Sequence, residues 1–211
     1  MTSSIIAQKQ QKLTSNQIYE KIQKLNFLGS ALYIAAHPDD ENTRLIAYLA
    51  NHDKARTGYL SLTRGDGGQN LIGPEIRELL GVIRTQELLA ARNVDGGEQL
   101  FSRANDFGYS KHPDETLEIW DKDKVLADVV WTIRTFKPDV IINRFDHRTP
   151  GTTHGHHTTS AMLSVEAFDL ANDPSKYSDQ LNYTKTWQPN RLFFNTSWWF
   201  YGSRDNFAKA D

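Results

Sequence analysis

Short apolar runs alternate with amphipathic stretches along most of the chain. Residues 31–36 are apolar without interruption, which is typical of a strand buried on both faces of a parallel sheet. Further strands are predicted at residues 57–63, 99–103 and 140–144. Helices are predicted at residues 41–50, 74–93 and 123–136, and the second of them is expected to start at Pro74. This alternation predicts an α/β fold with a doubly wound, mostly parallel sheet and helices on both faces.

The two ends of the chain differ from this alternating middle. Ser15 is expected to cap a short helix that follows a polar arm, so we divide the chain into an N-terminal arm and helix at 1–28 and one domain at 29–211. Beyond residue 172 a polar loop leads to an aromatic cluster at 198–201. Aromatic side chains this close to a chain end need a surface to cover them, so we expect the chain to be a piece of a longer protein.

Composition narrows the classes of protein to consider. A length of 211 residues suits one domain with a substantial core. The formal net charge is −2 and the sequence has no continuous basic stripe, so we expect no nucleic-acid partner. The chain contains no cysteine, and any bound metal must therefore be held by His, Asp or Glu.

The sequence also bears on location. No apolar run approaches the roughly 18 residues that a membrane-spanning helix needs, so no membrane span is expected. The first 30 residues lack the basic start and the apolar core of a signal peptide. We therefore expect a soluble protein, either in the bacterial cytoplasm or exported after removal of an upstream signal. Self-association into a homo-oligomer stays open.

The first cluster of reactive side chains follows the first predicted strand. It reads His37-Pro38-Asp39-Asp40-Glu41, and it lies at the carboxyl edge of the sheet, where open α/β folds place their ligand sites. His37 and Asp40 can point at a common centre, whereas Asp39 projects towards solvent or substrate. One imidazole and two carboxylates suit a hard or borderline cation. The alternative is an ordinary helix N-terminus, where acidic residues are favoured by unpaired amides and by the helix dipole.

A second cluster, His154-Gly155-His156-His157, follows the loop that leaves the predicted strand at 140–144. If this segment starts a helix, His154 and His157 share a face and His156 points elsewhere. Four of the seven histidines in the chain lie between residues 147 and 157, which makes a chance grouping of loop residues a poor explanation. We expect this cluster at the same sheet edge as His37.

Two more loops feed this edge, after the predicted strands at 57–63 and 99–103. Arg64 suits the binding of a sugar hydroxyl or a phosphate, although an ordinary surface arginine is an equal alternative, and Asp66 and Asp106 are weaker candidate substrate contacts. The glycines in the first of these loops do not match a dinucleotide fingerprint, which would follow the first strand. A nucleotide-binding oxidoreductase is therefore disfavoured.

The segment from Ala36 to Glu41 reads Ala-His-Pro-Asp-Asp-Glu and resembles the motif after the first strand of the PIG-L or LmbE-like family of zinc-dependent N-acetylglucosamine deacetylases. The pair His154 and His157 resembles the second signature of that family, His-x-x-His, and residues 63–66 resemble its second-strand loop. The resemblance runs from about residue 31 to about residue 170. It implies a Rossmann-like, LmbE-like fold and a zinc-dependent hydrolase that removes an acetyl group from an N-acetylated sugar and releases acetate and a free amine.

The same resemblance implies a role for each motif residue. One zinc ion would be held by His37, Asp40 and His157. Asp39 would be the general base, and His154 would stabilise the oxyanion of the tetrahedral intermediate. The strand-two arginine, here Arg64, would help to hold the substrate.

One position departs from the family pattern. Many members have an aspartate just before the last histidine, where this chain has His156, so the group that orients His154 must differ. Asp146 is a candidate substitute.

Two alternative functions stay open: an amidase acting on a sugar–thiol conjugate, and a non-catalytic metal- or carbohydrate-binding module of a larger protein. The presence of Asp39 and His154 argues against the module, because binding alone needs no base.

Overall fold

The computed structural model of the protein describes residues 12–210, whose strands form one parallel sheet. The strands in chain order are β1 (Ser30–Ala35), β2 (Arg56–Ser61), β3 (Glu98–Phe101), β4 (Val140–Asn143) and β5 (Arg191–Phe194). Their spatial order is β3-β2-β1-β4-β5, and all four neighbouring pairs are parallel. The strand order reverses between β1 and β4, and open α/β sheets bind their ligands beside such a switch point. The predicted fold class is confirmed.

Helices cover both faces of this sheet. They are α1 (Ser15–Lys24), α2 (Thr43–Ala47), α3 (Glu78–Asp95), α4 (Pro113–Ile119), α5 (Lys122–Phe136), α6 (Gly155–Leu170) and α7 (Arg204–Ala208). A π-helical turn at Tyr48–His52 continues α2, and short 3₁₀ turns lie at Ser178–Asn182 and Trp198–Tyr201. Within residues 12–210, no helix combines the length and the apolar character needed to cross a lipid bilayer.

The core lies on both sides of β1. Leu32 and Ile34 point to one face, where they pack with α5 and α6, while Tyr33 and Ala35 point to the other face, towards α2 and α3. All four side chains are almost fully buried. This two-sided burial is the physical reason for the uninterrupted apolar run, because neither face of β1 meets water.

The structure corrects the predicted start of α3. Pro74 lies in the loop before the helix, and α3 begins four residues later with Arg77 as its N-cap. The Asn70 side chain accepts hydrogen bonds from the amides of Ile72 and Gly73, both at 3.0 Å, and so forms a local turn that competes with helix. Arg77 adopts a positive φ of 54°, which interrupts any helical path from Pro74.

Two other helix starts also differ from the prediction. The helix expected at 41–50 begins at Thr43, because the Asn42 side chain caps it by accepting from the Leu45 amide at 3.1 Å. In α1 the cap is Thr14 and not Ser15, and Gln17 completes a capping box.

Arg134 of α5 fixes the segment that follows α6. Its side chain is fully buried and its guanidinium donates to the carboxyl end of α6, at the Ala171 carbonyl (3.1 Å) and the Leu170 carbonyl (3.3 Å). It also donates to the Asp173 and Lys176 carbonyls, at 2.8 and 2.9 Å. The last carbonyls of a helix have no partner within the helix, and a planar fork of donors satisfies several at once.

We expect Arg134→Lys to lower the free energy of unfolding by about 2–4 kcal/mol, because an ammonium group cannot reach all of these buried acceptors. Urea unfolding followed by circular dichroism measures the change. Arg191→Lys on exposed β5 is the matched control, with an expected change within about 0.5 kcal/mol. Equal losses in the two variants would contradict this role of Arg134.

Candidate active site

The turn after β1 directs the first cluster. The Asp40 carboxylate accepts a hydrogen bond from the His37 amide at 2.7 Å, which closes the turn. The Tyr59 hydroxyl donates to the His37 carbonyl and holds the same peptide from β2. As a result the two side chains converge, with His37 Nδ1 lying 3.3 Å from Asp40 Oδ2.

Asp39 lies at the tip of this turn in a strained conformation. Its φ is 90°, a region that non-glycine residues rarely occupy and that costs about 1–3 kcal/mol. Its amide donates to Glu41 Oε2 at 3.0 Å, and Arg84 of α3 donates to the Pro38 carbonyl at 2.8 Å. Arg84 also pairs with the Asp39 carboxylate at 3.0 Å.

Glu41 anchors the turn to α3 through buried charges. Its Oε1 accepts from Arg92 Nη2 at 3.1 Å, and the same guanidinium pairs with Asp95 at 2.5 Å. All three side chains are buried, and the Arg92 guanidinium lies over the Tyr59 ring. Removing one partner of such a buried network leaves an uncompensated charge, so the network holds the turn in place.

The second cluster starts α6. His154 is the N-cap, and its Nδ1 accepts a hydrogen bond from the His156 amide at 3.1 Å. An accepting Nδ1 places the proton of the neutral ring on Nε2. The Gly155 amide donates to the Ser110 carbonyl at 2.8 Å, and the Phe145 ring stacks on the His157 ring with centroids 3.9 Å apart.

Three side chains from the two clusters form a group that suits a divalent metal ion. His157 Nε2 lies 3.5 Å from Asp40 Oδ1, close to the 3.3 Å between His37 Nδ1 and Asp40 Oδ2. Two ligands at about 2.0–2.1 Å from a tetrahedral ion stand roughly 3.3 Å apart. The donor atoms of His37, Asp40 and His157 therefore have the spacing of metal ligands, and they all lie within 4.8 Å of one another.

A second grouping, His37 with His154 and His156, also lies within 4.8 Å. Here the facing atoms are His37 Nε2 and His156 Nδ1, only 2.8 Å apart. That separation is the length of a hydrogen bond and is short for two ligands of one ion. The first grouping is therefore the better metal site.

The surroundings of Asp40 and His157 prepare these two side chains for metal binding. Burial alone would raise the pKa of Asp40, but its contacts with His37 and His157 hold that pKa below the usual value. Burial lowers the pKa of His157 to about 4, even though Asp40 acts in the opposite direction. At neutral pH the Asp40 carboxylate is therefore ionised and the His157 ring is neutral, as metal ligation requires.

A cavity of about 340 Å³ opens beside His37. Asp39, Arg84 and His154 line it. Burial and the charge of Asp40 raise the pKa of Asp39, with Arg84 opposing, while burial and His37 lower the pKa of His154. A carboxylate with a raised pKa and a neutral imidazole thus face one cavity, which is an arrangement suited to proton transfer.

The predicted substrate contacts are distributed over three neighbouring cavities. Asp106 lines the cavity beside His37, and together with Asp66 it lines a second one. Arg64 and Asp66 line a third cavity, and the Arg64 guanidinium stacks on the Phe101 ring at 4.1 Å. The sequence did not predict the contacts of Arg84 and Arg92, because nothing in the α3 sequence indicates that these side chains reach the turn after β1.

The structure also corrects two expectations about orientation. His156 does not point away from the site, since its ring is buried against His37. Asp146 does not orient His154, because its carboxylate is engaged by Arg148 at 2.9 Å. The backbone amide of His156 fixes the His154 ring instead.

The fold and the site define a class of protein: a parallel α/β sheet with a His/Asp group that could hold a metal ion beside its switch point. Residues 32–168 match the family model of PIG-L, described as GlcNAc-PI de-N-acetylase. The chain belongs to this family.

Two curated relatives and one solved structure are similar to the chain. It is 27% identical over 175 residues to the mycothiol S-conjugate amidase of Streptomyces coelicolor, covering 77% of this chain and 59% of the relative. It is 30% identical over 162 residues to the 1D-myo-inositol 2-acetamido-2-deoxy-alpha-D-glucopyranoside deacetylase of Thermobispora bispora, covering 68% of this chain and 53% of the relative. The chain thus spans less than two thirds of the length of these relatives.

The solved structure is that of the N,N'-diacetylchitobiose deacetylase from Pyrococcus horikoshii in complex with its inhibitor MPG. It superimposes with a TM-score of 0.65 at 16% identity and covers 88% of this chain and 70% of that one. At this identity the likeness shows a shared fold.

We expect Gly155→Ala to destabilise the protein by about 1–3 kcal/mol, although alanine favours a helix over glycine by up to about 1 kcal/mol. A Cβ there would stand 2.4 Å from Ser110 Oγ and 2.7 Å from the His112 carbonyl oxygen. Urea unfolding of the metal-free protein measures the loss. An unchanged unfolding midpoint would show that the 110–116 segment moves aside without loss of stability, and that this close approach does not hold α6.

Proposed function

We propose that the chain carries the catalytic site of a zinc-dependent hydrolase that removes the acetyl group from an N-acetylated sugar, releasing acetate and a free amine. One observation carries the proposal: His37, Asp40 and His157 have the spacing of metal ligands, and Asp39 and His154 remain free of that group and line the adjoining cavity. Three protein ligands leave one coordination position open, which distinguishes catalytic from structural zinc sites.

This arrangement also favours an enzyme over a binding module. A module that only binds metal or carbohydrate has no need of a carboxylate in a strained backbone conformation. Asp39 keeps its positive φ at an energetic cost, and strain of this kind clusters at functional sites. The buried pair of Glu41 and Arg92 maintains the turn that carries it.

The metal would supply Lewis-acid chemistry when bound, because such a cation acidifies water and polarises the amide carbonyl. Asp39 takes the proton of the attacking water as general base and passes it to the departing amine. Burial raises the pKa of Asp39, and this direction favours both steps, because a group that accepts and returns a proton works best when its pKa is closer to the working pH. Arg84 holds the carboxylate in position at 3.0 Å.

His154 stabilises the negative charge that develops on the carbonyl oxygen. Its Nδ1 is occupied by the His156 amide, so Nε2 carries the proton of the neutral ring and is the donor. This assignment needs no imidazolium, in agreement with the lowered pKa of His154. A preorganised donor of this kind acts without reorganisation at the moment of reaction.

The substrate class follows from the relatives and from the cavity. The Thermobispora bispora relative is named for a 2-acetamido sugar. Asp106 and Arg84 place polar groups in the cavity wall that suit sugar hydroxyls. Arg64 and Asp66 line neighbouring cavities, and their contact with the substrate stays a prediction. A second candidate substrate is the amide of a sugar–thiol conjugate, which the name of the Streptomyces coelicolor relative favours.

We expect His157→Ala to purify with less than about a tenth of the zinc of the parent protein, because two remaining ligands hold the ion weakly. Elemental analysis after dialysis against a zinc-buffered solution measures occupancy. His52→Ala, which removes an exposed histidine far from the cluster in sequence, should keep the full amount. Equal zinc content in the two variants would refute the ligand assignment.

We expect Asp39→Asn to lower turnover by about a hundredfold to ten-thousandfold while zinc content and folding stay unchanged. Asparagine tolerates a positive φ, so the turn should keep its shape. The assay measures acetate and amine release by the zinc-loaded protein from N-acetylglucosamine, several 2-acetamido-2-deoxyglucosides and a sugar–thiol conjugate amide.

The control is Asp169→Asn, on an exposed position of α6, which should match the parent protein in turnover. Amine release without acetate, confined to the thiol conjugate, would favour the amidase. Stoichiometric zinc with no release from any of these amides would contradict the proposed function.

A further inference from the structure

His156 is a buried imidazole whose polar contact is with the metal group. Its side chain is fully buried, between the Phe107 and Trp120 rings at centroid distances of 4.4 and 4.7 Å. Its Nδ1 lies 2.8 Å from His37 Nε2. Asp106 also lies nearby, but its oxygens are 3.8 Å from His156 Nδ1 and 3.9 Å from His37 Nε2, too far for hydrogen bonds.

The direction of this hydrogen bond follows from the other side of the His37 ring. His37 Nδ1 faces Asp40 at 3.3 Å, on the side of the metal group. A ring nitrogen that binds a metal has no proton, so the proton of the neutral His37 ring lies on Nε2. His37 Nε2 then donates and His156 Nδ1 accepts, which puts the proton of His156 on its own Nε2.

We propose that His156 is the positioning residue of His37, and that its Nδ1 accepts the hydrogen bond which keeps His37 Nδ1 directed at the metal. The inference rests on the metal site proposed above. Metal-binding histidines generally donate their second ring N–H to a fixed acceptor, which sets the ring orientation and strengthens the ligand. Here another imidazole provides that acceptor.

A purely space-filling role does not account for the residue. Among residues 12–210, His156 Nε2 has no hydrogen-bond partner although it is buried. A buried donor without a partner costs about 1–3 kcal/mol, so an apolar side chain would fill this aromatic pocket more favourably. The imidazole therefore lowers the stability of the fold, and the contact that explains its presence is the hydrogen bond with His37.

Two substitutions separate the hydrogen bond from the packing. His156→Asn keeps an acceptor, since its Oδ1 lies near the position of Nδ1, whereas His156→Leu keeps the volume and removes the acceptor. The zinc dissociation constant is measured by competition with a chromogenic chelator, and the free energy of unfolding is measured on the metal-free proteins. We expect His156→Leu to weaken zinc binding by about 10- to 100-fold without loss of metal-free stability, and His156→Asn to stay within about threefold of the parent protein.

Zinc affinity in His156→Leu equal to that of the parent protein would overturn the proposal, and so would an equal loss in His156→Asn. If the leucine variant does not fold, His156→Gln is measured in its place, because the longer glutamine side chain displaces the acceptor from His37. If His156→Gln then binds zinc as tightly as His156→Asn, the proposal is overturned. A parent protein that binds no zinc would instead refute the metal site itself, so the two failures are distinguishable.

Discussion

The hydrogen bond from the His37 amide to the Asp40 carboxylate is the contact on which the site depends. It closes the turn after β1 at 2.7 Å and leaves Asp40 facing both His37 and His157. Within the same turn Asp39 has a positive φ, and its side chain lines the cavity. One short contact thus gives two adjacent carboxylates different surroundings, because Asp40 faces two histidines while Asp39 lines the cavity and pairs with Arg84.

The rest of the fold delivers a second element to this turn. The strand order reverses between β1 and β4, so the loop after β4 and the start of α6 arrive beside the end of β1. Gly155 lets the start of α6 approach the 110–116 segment closely, and the Phe145 ring supports one face of His157. The histidines of the second cluster are therefore held by packing before any ion is bound, which lowers the ordering cost of binding.

Sequence reasoning succeeded where a local pattern had a single physical cause. The apolar run at 31–36 predicted a central strand because burial on both faces leaves no polar position. The helix predicted to start at Pro74 starts later, because the Asn70 side chain stabilises a turn that the pattern around Pro74 did not indicate. The direction predicted for the His156 side chain was also wrong. That prediction assumed that His154 lies within the helix, but its ψ of 135° places it outside. Arg84 and Arg92 were missed because their partners lie 46 and 51 residues away in the sequence.

Both of these arginines belong to α3, and their spacing restricts where the sequence can gain or lose residues. Arg84 donates a hydrogen bond to the Pro38 carbonyl and Arg92 forms an ion pair with Glu41, so α3 holds the turn at two points about 12 Å apart along its axis. Insertions or deletions in the loop at 69–77 leave the spacing of these two contacts unchanged. One residue inserted between 84 and 92 would rotate one arginine by about 100° relative to the other and release one end of the turn. Length variation within homologous chains should therefore be concentrated before α3 and absent between positions 84 and 92.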